Sequence, residues 1–121
     1  MEIKKNIDLK DYLTMKIGGK AAYLVDITNK NDVVDVMNWV EEHQMKFFVL
    51  GGGSNTLAKD EGFDGIIIHN MIKGIEKTDE DSISATYRVG AGEVLDHFIH
   101  FTIQHNLSGM EAMSMIPGTI G

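Results

Sequence analysis

The chemistry-bearing residues of this chain begin at Gly51-Gly52-Gly53-Ser54-Asn55-Thr56, directly after the four apolar residues Phe47 to Leu50. Three successive glycines remove every Cβ from a turn, so the backbone can pass through positive φ and approach a ligand closely. A glycine-rich turn at the carboxyl end of a strand aims its N–H groups at an anion, usually a phosphate. Ser54 and Asn55 add side-chain donors. The chemistry suggested is a nucleotide or pyrophosphate cradle. A tight turn without a ligand fits the same residues.

Two familiar phosphate loops do not fit. A P-loop ends Gly-Lys-Ser/Thr, whereas this loop ends Gly-Ser-Asn. The Rossmann fingerprint needs a third glycine where Thr56 stands, and Leu57 to Gly65 is too short and too glycine-broken for a crossover helix. A second candidate, Gly90-Ala91-Gly92-Glu93, lies between a strand and a helix. Its third glycine position is Leu95, so Gly90 and Gly92 read mainly as close-packing turn residues.

Other candidates read as ordinary surface. Glu93, His97 and His100 fall at i, i+4 and i+7, a spacing that could ligate a metal. A solvated helix face explains them equally, and no metal is expected. Asp60, Glu61 and Asp64 read as a solvated loop, and no Ser-His-Asp or Cys-His arrangement can be assembled by spacing. No catalytic residue is assigned.

The elements that must hold the loop follow from periodicity. The first twenty residues read as an irregular segment. Ala21 to Ile27 reads as a strand, and Thr28 to Asp32 as a helix-capping turn. Val33, Val36, Met37 and Val40 then repeat at helical spacing. Phe47 to Leu50 follows as a buried strand, completing a βαβ unit of about 30 residues with the glycine loop at its end. Ile66 to His69 reads as a buried strand. Ile75 to Thr78 and Ile83 to Val89 read as a strand pair joined by the acidic turn Asp79 to Asp81. Glu93 to Asn106 reads as a second helix with Val94, Leu95, Phe98, Phe101 and Thr102 on its apolar face. The fold class expected is α+β.

Composition narrows the function. The 121 residues include 18 acidic and 11 basic side chains, for a net charge of −7. Nucleic acid is not expected as a partner, because phosphate neutralisation needs clustered Lys and Arg. Without cysteine, disulfides, zinc–thiolate sites and thiol catalysis are excluded. No apolar run approaches the roughly 20 residues of a membrane span. No signal peptide is visible after Met1, so a cytoplasmic protein without a membrane partner is expected. The eight methionines are expected mostly as core filler.

Six segments now stand in order: Thr14 to Gly19, Leu50 to Leu57, Asp60 to Gly65, Gly90 to Glu93, Leu107 to Glu111, and Ile116-Pro117-Gly118-Thr119-Ile120-Gly121. Together they closely resemble the N-terminal part of the bacterial UDP-N-acetylenolpyruvoylglucosamine reductase family, over nearly the whole chain. The resemblance implies an incomplete FAD-binding domain of the p-cresol methylhydroxylase/vanillyl-alcohol oxidase type over 21–121, without the substrate-binding domain. It implies that Gly51, Gly52, Gly53, Ser54, Asn55 and Thr56 wrap the FAD pyrophosphate. Ile116, Pro117, Gly118, Thr119 and Gly121 would line the cofactor near pyrophosphate and flavin.

The implied reaction of the family uses NADPH and FAD to reduce the enolpyruvyl double bond of a UDP-sugar, making UDP-N-acetylmuramate for peptidoglycan. The family's catalytic serine, glutamate and arginine match no residue here, so this piece alone is expected to be inactive and to hold FAD weakly. Apolar surface left exposed where the second wall of the cleft would pack is expected to promote self-association. Two other readings stay open: another flavin oxidoreductase of the same fold, or a stand-alone non-catalytic domain binding a nucleotide or a protein. The closing Ile-Pro-Gly-Thr-Ile-Gly either ends a domain or marks a chain cut inside a loop.

Overall fold

The computed structural model describes all residues, Met1 to Gly121. Its centre is a four-stranded sheet of β1 (Ile3–Asp8), β2 (Lys20–Ile27), β3 (Phe47–Leu50) and β4 (Phe63–Asn70), in the spatial order β1-β2-β4-β3. Helix α1 (Lys30–Glu42) connects β2 to β3. Both of those strands run parallel to β4, which lies between them. The βαβ unit therefore exists, but its two strands are not neighbours. The chain leaves β3 and must travel back along the sheet before it can re-enter in parallel, because parallel neighbours cannot be joined by a tight turn. Residues 51–62 make that return without a helix, and the glycine loop is its first part.

The sheet is covered differently on its two faces. On one face α1 seats Val36 and Val40 against Val25, Ile27, Ile66 and Ile68. On the other, Leu9 and Leu13 of the segment after β1 pack with Ala21, Leu24, Leu50 and Ile67, helped by Tyr12, Ala58 and Phe63. The register of β2 against β4 shifts between Ala21 and Tyr23, which turns Ala21 to the same side as Leu24.

Several expectations change at this level. The first twenty residues are not irregular throughout: Ile3–Asp8 is a strand paired antiparallel with β2, followed by a 3-10 turn at Leu9–Asp11. Its polar Lys4-Lys5-Asn6 hides the strand pattern because it is an edge strand with solvent beside it. The Phe47 to Leu50 run is not a buried strand. It is the opposite edge, where Phe47, Phe48 and Val49 are about half exposed and only Leu50 is buried. The methionines are not core filler, since none of the eight is buried.

The second half of the chain forms a smaller layer. Strands β5 (Ile75–Glu80) and β6 (Ala85–Val89) make an antiparallel hairpin. Its turn lies later than the sequence suggests, where the Asp81 carboxylate accepts from the N–H groups of Ile83 (2.8 Å) and Ser84 (2.7 Å). Alternation along β6 turns Ala85, Tyr87 and Val89 inward. Tyr87 meets Phe98 and Phe101 of helix α2 (Leu95–Gln104) edge-on. Phe98, Ile99 and Thr102 are the buried residues of α2; Ile99, absent from the expected apolar face, is fully buried. Gly90 and Gly92 pack directly on the backbone of 71–73, where a Cβ would collide, so their close-packing role holds.

Candidate functional site

The glycine loop leaves the carboxyl end of β3, beside the end of β4, where Leu50 pairs with His69. Its three glycines are needed for different reasons. Gly53 has φ +67°, and a Cβ there would run into the Tyr12 carbonyl oxygen. Its own carbonyl accepts from the Thr14 N–H at 3.1 Å, which ties the loop to the segment after β1. At Gly51 a Cβ would lie 2.8 Å from Thr119 Oγ1. At Gly52 a Cβ would meet only Thr119 Cγ2 at 3.5 Å and the Gly118 Cα at 3.6 Å, which are ordinary contacts. Gly53 is thus demanded by the fold, Gly51 by its neighbour, and the exposed Gly52 by neither.

The contacts of those glycines bring the two predicted site segments together. Ser54 Oγ donates to the Pro117 carbonyl at 3.2 Å, and Gly118, with φ +129°, approaches Ser54 so closely that a Cβ would stand 3.0 Å from its hydroxyl. Residues 117–121 are themselves laid antiparallel along 91–95. Leu95 N–H donates to the Gly118 carbonyl (3.1 Å), Ile120 N–H to that of Glu93 (2.9 Å) and Gly121 N–H to that of Ala91 (3.0 Å). Segments 60 residues apart in sequence therefore share one wall.

That wall is rich in unused donors. None of the N–H groups from Gly51 to Thr56, nor those of Gly118 and Thr119, donates a hydrogen bond to any group of the chain. Backbone N–H groups are normally paired with protein or solvent. A cluster of free ones on two adjoining glycine-containing turns is a donor set that can take an anion without a basic side chain. A diphosphate fits this donor set, in a protein whose net charge is −7.

The other candidate residues are placed elsewhere. Glu93 precedes α2 and does not share its face with His97 and His100. Its carboxylate accepts from the Gly74 N–H at 2.9 Å and lies 3.8 Å from Lys73 Nζ. No group of three or more His, Asp or Glu side chains could hold a metal ion. Asp60 and Glu61 are exposed on the return loop, whereas Asp64, read from the sequence as part of that loop, is an exposed residue near the start of β4.

Two charged arrangements were not visible in the sequence. Beneath the loop face, Asp26 on β2 receives Lys4 Nζ on one oxygen and His69 Nδ1–H on the other, both at 2.7 Å. Burial pushes the Asp26 carboxyl up, but the Lys4 and His69 hydrogen bonds outweigh it and hold the group below its ordinary value. The Asp26 hydrogen bond and charge raise Lys4. Near the tail, Asp96 Oδ1 accepts from both the Met115 N–H and Ser114 Oγ, each at 2.9 Å. The Met115 N–H first and the Ser114 hydroxyl second lower the Asp96 carboxyl. Neither partner lies within a helical repeat or strand alternation of the other, so no local pattern signals them.

Residues 21–121 match the model of a family described as an FAD binding domain. The chain belongs to that FAD-binding domain family. Among curated relatives it is similar to the UDP-N-acetylenolpyruvoylglucosamine reductase of Thermobifida fusca, 35% identical over 97% of this chain and 33% of the relative. The enzyme of that name from Flavobacterium johnsoniae is 36% identical over all of this chain and 35% of its own. Among solved structures, the UDP-N-acetylenolpyruvylglucosamine reductase of Thermus caldophilus superposes with a TM-score of 0.72 at 30% identity, covering 100% of this chain and 40% of that one. Cholesterol oxidase from B. sterolicum, at 18% identity and a TM-score of 0.60 over 86% of this chain and 20% of its own, shares the fold. The chain spans about a third of the length of the curated relatives it matches. The α+β FAD-binding fold and the FAD cofactor expected from the sequence agree with these findings.

Proposed function

We propose that this chain is the FAD-anchoring portion of a UDP-N-acetylenolpyruvoylglucosamine reductase, with the cofactor diphosphate held by Gly51 to Thr56 and by Ile116 to Thr119 with Gly121. The observation that carries the site is the adjoining pair of glycine turns with unused N–H donors. The reductase assignment is supported by the similarity of the whole chain to proteins of that name. When bound, FAD supplies a hydride carrier. The residues present supply binding alone: main-chain N–H groups for the diphosphate and glycine surfaces that let it approach. The family's catalytic serine, glutamate and arginine match none of the 121 residues, and the chain spans about a third of its relatives, so the activity, NADPH as reductant and the UDP-sugar as substrate are proposed for the whole enzyme and not for these residues alone. A cytoplasmic setting suits that role, and no helix here is long and apolar enough to cross a membrane. The half-exposed edge strand β3 offers an apolar surface for self-association.

Gly52→Val tests the site. Because a Cβ at Gly52 meets only ordinary contacts, the substitution leaves the fold largely alone while placing a branched side chain in the cradle. Titrating FAD and following flavin fluorescence should show binding by the natural chain and a loss of about tenfold or more in the variant, equivalent to at least about 1.4 kcal/mol. Equal affinity at unchanged melting temperature would remove the loop from the site.

A further inference from the structure

We infer that Asp96 is a positioning residue that locks the 116–121 wall of the cradle by holding Met115 in a strained conformation. Met115 has φ +67°, a left-handed geometry that an unbranched but bulky side chain rarely adopts. Nothing buries it: the residue is 86% exposed, so packing does not impose the strain. Met115 is the third residue of a turn closed by the Ile116 N–H on the Met113 carbonyl at 3.2 Å, a position that calls for positive φ, and Asp96 anchors that turn to α2. One carboxylate oxygen, Oδ1, takes the Met115 N–H and the Ser114 hydroxyl together, at 2.9 Å each. The other oxygen, Oδ2, lies 3.4 Å from His100 Nε2, one turn further along α2. These are the groups that face Asp96.

The position of the strain gives it a role. The residue after Met115 is Ile116, and from there the chain enters Pro117, Gly118 and Thr119. Downstream, the wall is held by the Ser54–Pro117 hydrogen bond and by the 91–95 pairing. Upstream, the hydrogen bonds from Ser114 and Met115 to Asp96 fix the direction in which the chain enters the turn. Strained backbone persists only where surrounding contacts over-determine it, and it concentrates at ligand clamps. The turn-closing Ile116 hydrogen bond and the Asp96 carboxylate over-determine it together, and the carboxylate is the one that ties it to α2.

The inference rests on the proposed FAD site, and its test separates the two. The natural chain is titrated with FAD beside Asp96→Ala, Asp96→Asn, Met115→Gly and the double variant Asp96→Ala/Met115→Gly, with circular dichroism confirming a folded state. Removing both hydrogen bonds in Asp96→Ala should weaken FAD about tenfold. Asp96→Asn keeps an acceptor at Oδ1 and should stay within about threefold of the natural chain. Glycine adopts positive φ without strain, so Met115→Gly should restore the double variant to within about threefold as well. A role limited to starting α2 would not be rescued by a glycine 19 residues away. Natural affinity in folded Asp96→Ala, or no rescue in the double variant, overturns the inference. If Asp96→Ala fails to fold, Ser114→Ala alone should weaken FAD and regain it with Met115→Gly, and the absence of either change overturns the inference too. Failure of the natural chain to bind FAD would instead overturn the site.

Discussion

The two helices end alike and begin differently. At the C-terminus of α1, His43 stacks on Trp39 with ring centroids 4.2 Å apart and donates from Nδ1 to the Trp39 carbonyl at 2.9 Å. At the C-terminus of α2, His105 lies on Phe101 at 4.0 Å and donates to its carbonyl at 2.8 Å. In each case a histidine four residues after an aromatic adds its ring N–H to a carbonyl that already accepts the histidine's own main-chain N–H. The N-termini share nothing. The Asn29 side chain accepts from the Asn31 and Asp32 N–H groups, and the Asp32 carboxylate reaches back to Asn29 and Thr28, a complete capping box. Val94 caps α2 with no side-chain hydrogen bond, and the first helical N–H, that of Leu95, is taken by the carbonyl of Gly118. One helix carries its start in its own sequence. The other borrows it from the wall of the candidate FAD site, so α2 and the cofactor should respond to each other while α1 stays indifferent.

The strongest way to break that comparison is to damage each helix through its core contact. Ile99 is fully buried under α2, as Val36 is under α1. Ile99→Ala should lower unfolding stability by about 2–5 kcal/mol. It should also weaken FAD in chains that remain folded, because it loosens the helix on which the tail is laid. Val36→Ala should lower stability and leave affinity unchanged. Urea unfolding and FAD titration on both variants measure the contrast, and equal effects on affinity would deny the coupling.

Gly118→Ala sharpens the comparison from the other side. The residue sits at φ +129°, where an L side chain is strained, and its carbonyl is the borrowed cap. The substitution should cost about 1–3 kcal/mol. Amide hydrogen exchange should speed up in the first turn of α2 and stay protected in α1.

The same contrast governs what could be read in advance. Asn29 to Asp32 announces α1, and the helix begins at Lys30 as the capping signal requires. Glu93 also looks like a helix start, yet α2 begins at Leu95, because its start is set by a partner more than 20 residues later. The glycine turn and the Ile-Pro-Gly-Thr tail were each legible by composition. That Ser54 reaches Pro117 is a tertiary fact with no periodic trace. Edge strands misled in both directions: β1 is polar enough to pass for irregular chain, and β3 apolar enough to pass for core. Sheet order is decided by which partner β4 finds, and local pattern carries no information about insertion between β2 and β3.

A smaller effect isolates α1. Asn29→Ala removes the acceptor for two N–H groups and should cost about 1 kcal/mol. Because that cap touches nothing in the tail, FAD affinity should not move. A variant that loses both stability and affinity would show that the sheet transmits the start of α1 to the loop.

Acid should affect both helix starts by the same sign and through different routes. Hydrogen bonds from Thr28 and Asn29 hold Asp32 below its ordinary value of 3.8, the Thr28 N–H being the largest influence. Asp96 is held below the same value first by the Met115 N–H and then by the Ser114 hydroxyl. A carboxyl with a depressed folded pKa stabilises above its unfolded value and loses that contribution as pH falls through the folded one. Asp26, paired with Lys4 and His69, follows the same sign. Between pH 6 and pH 3, stability should therefore decline, with the change concentrated below about 3.8. Asp32→Asn should flatten part of that decline without altering how FAD affinity depends on pH. Asp96→Asn should flatten the pH dependence of affinity as well, since its protonation weakens the grip on Ser114 and Met115. Urea midpoints and FAD titrations across that range separate the two, and identical profiles for both variants would mean that the starts of the helices are not independent after all.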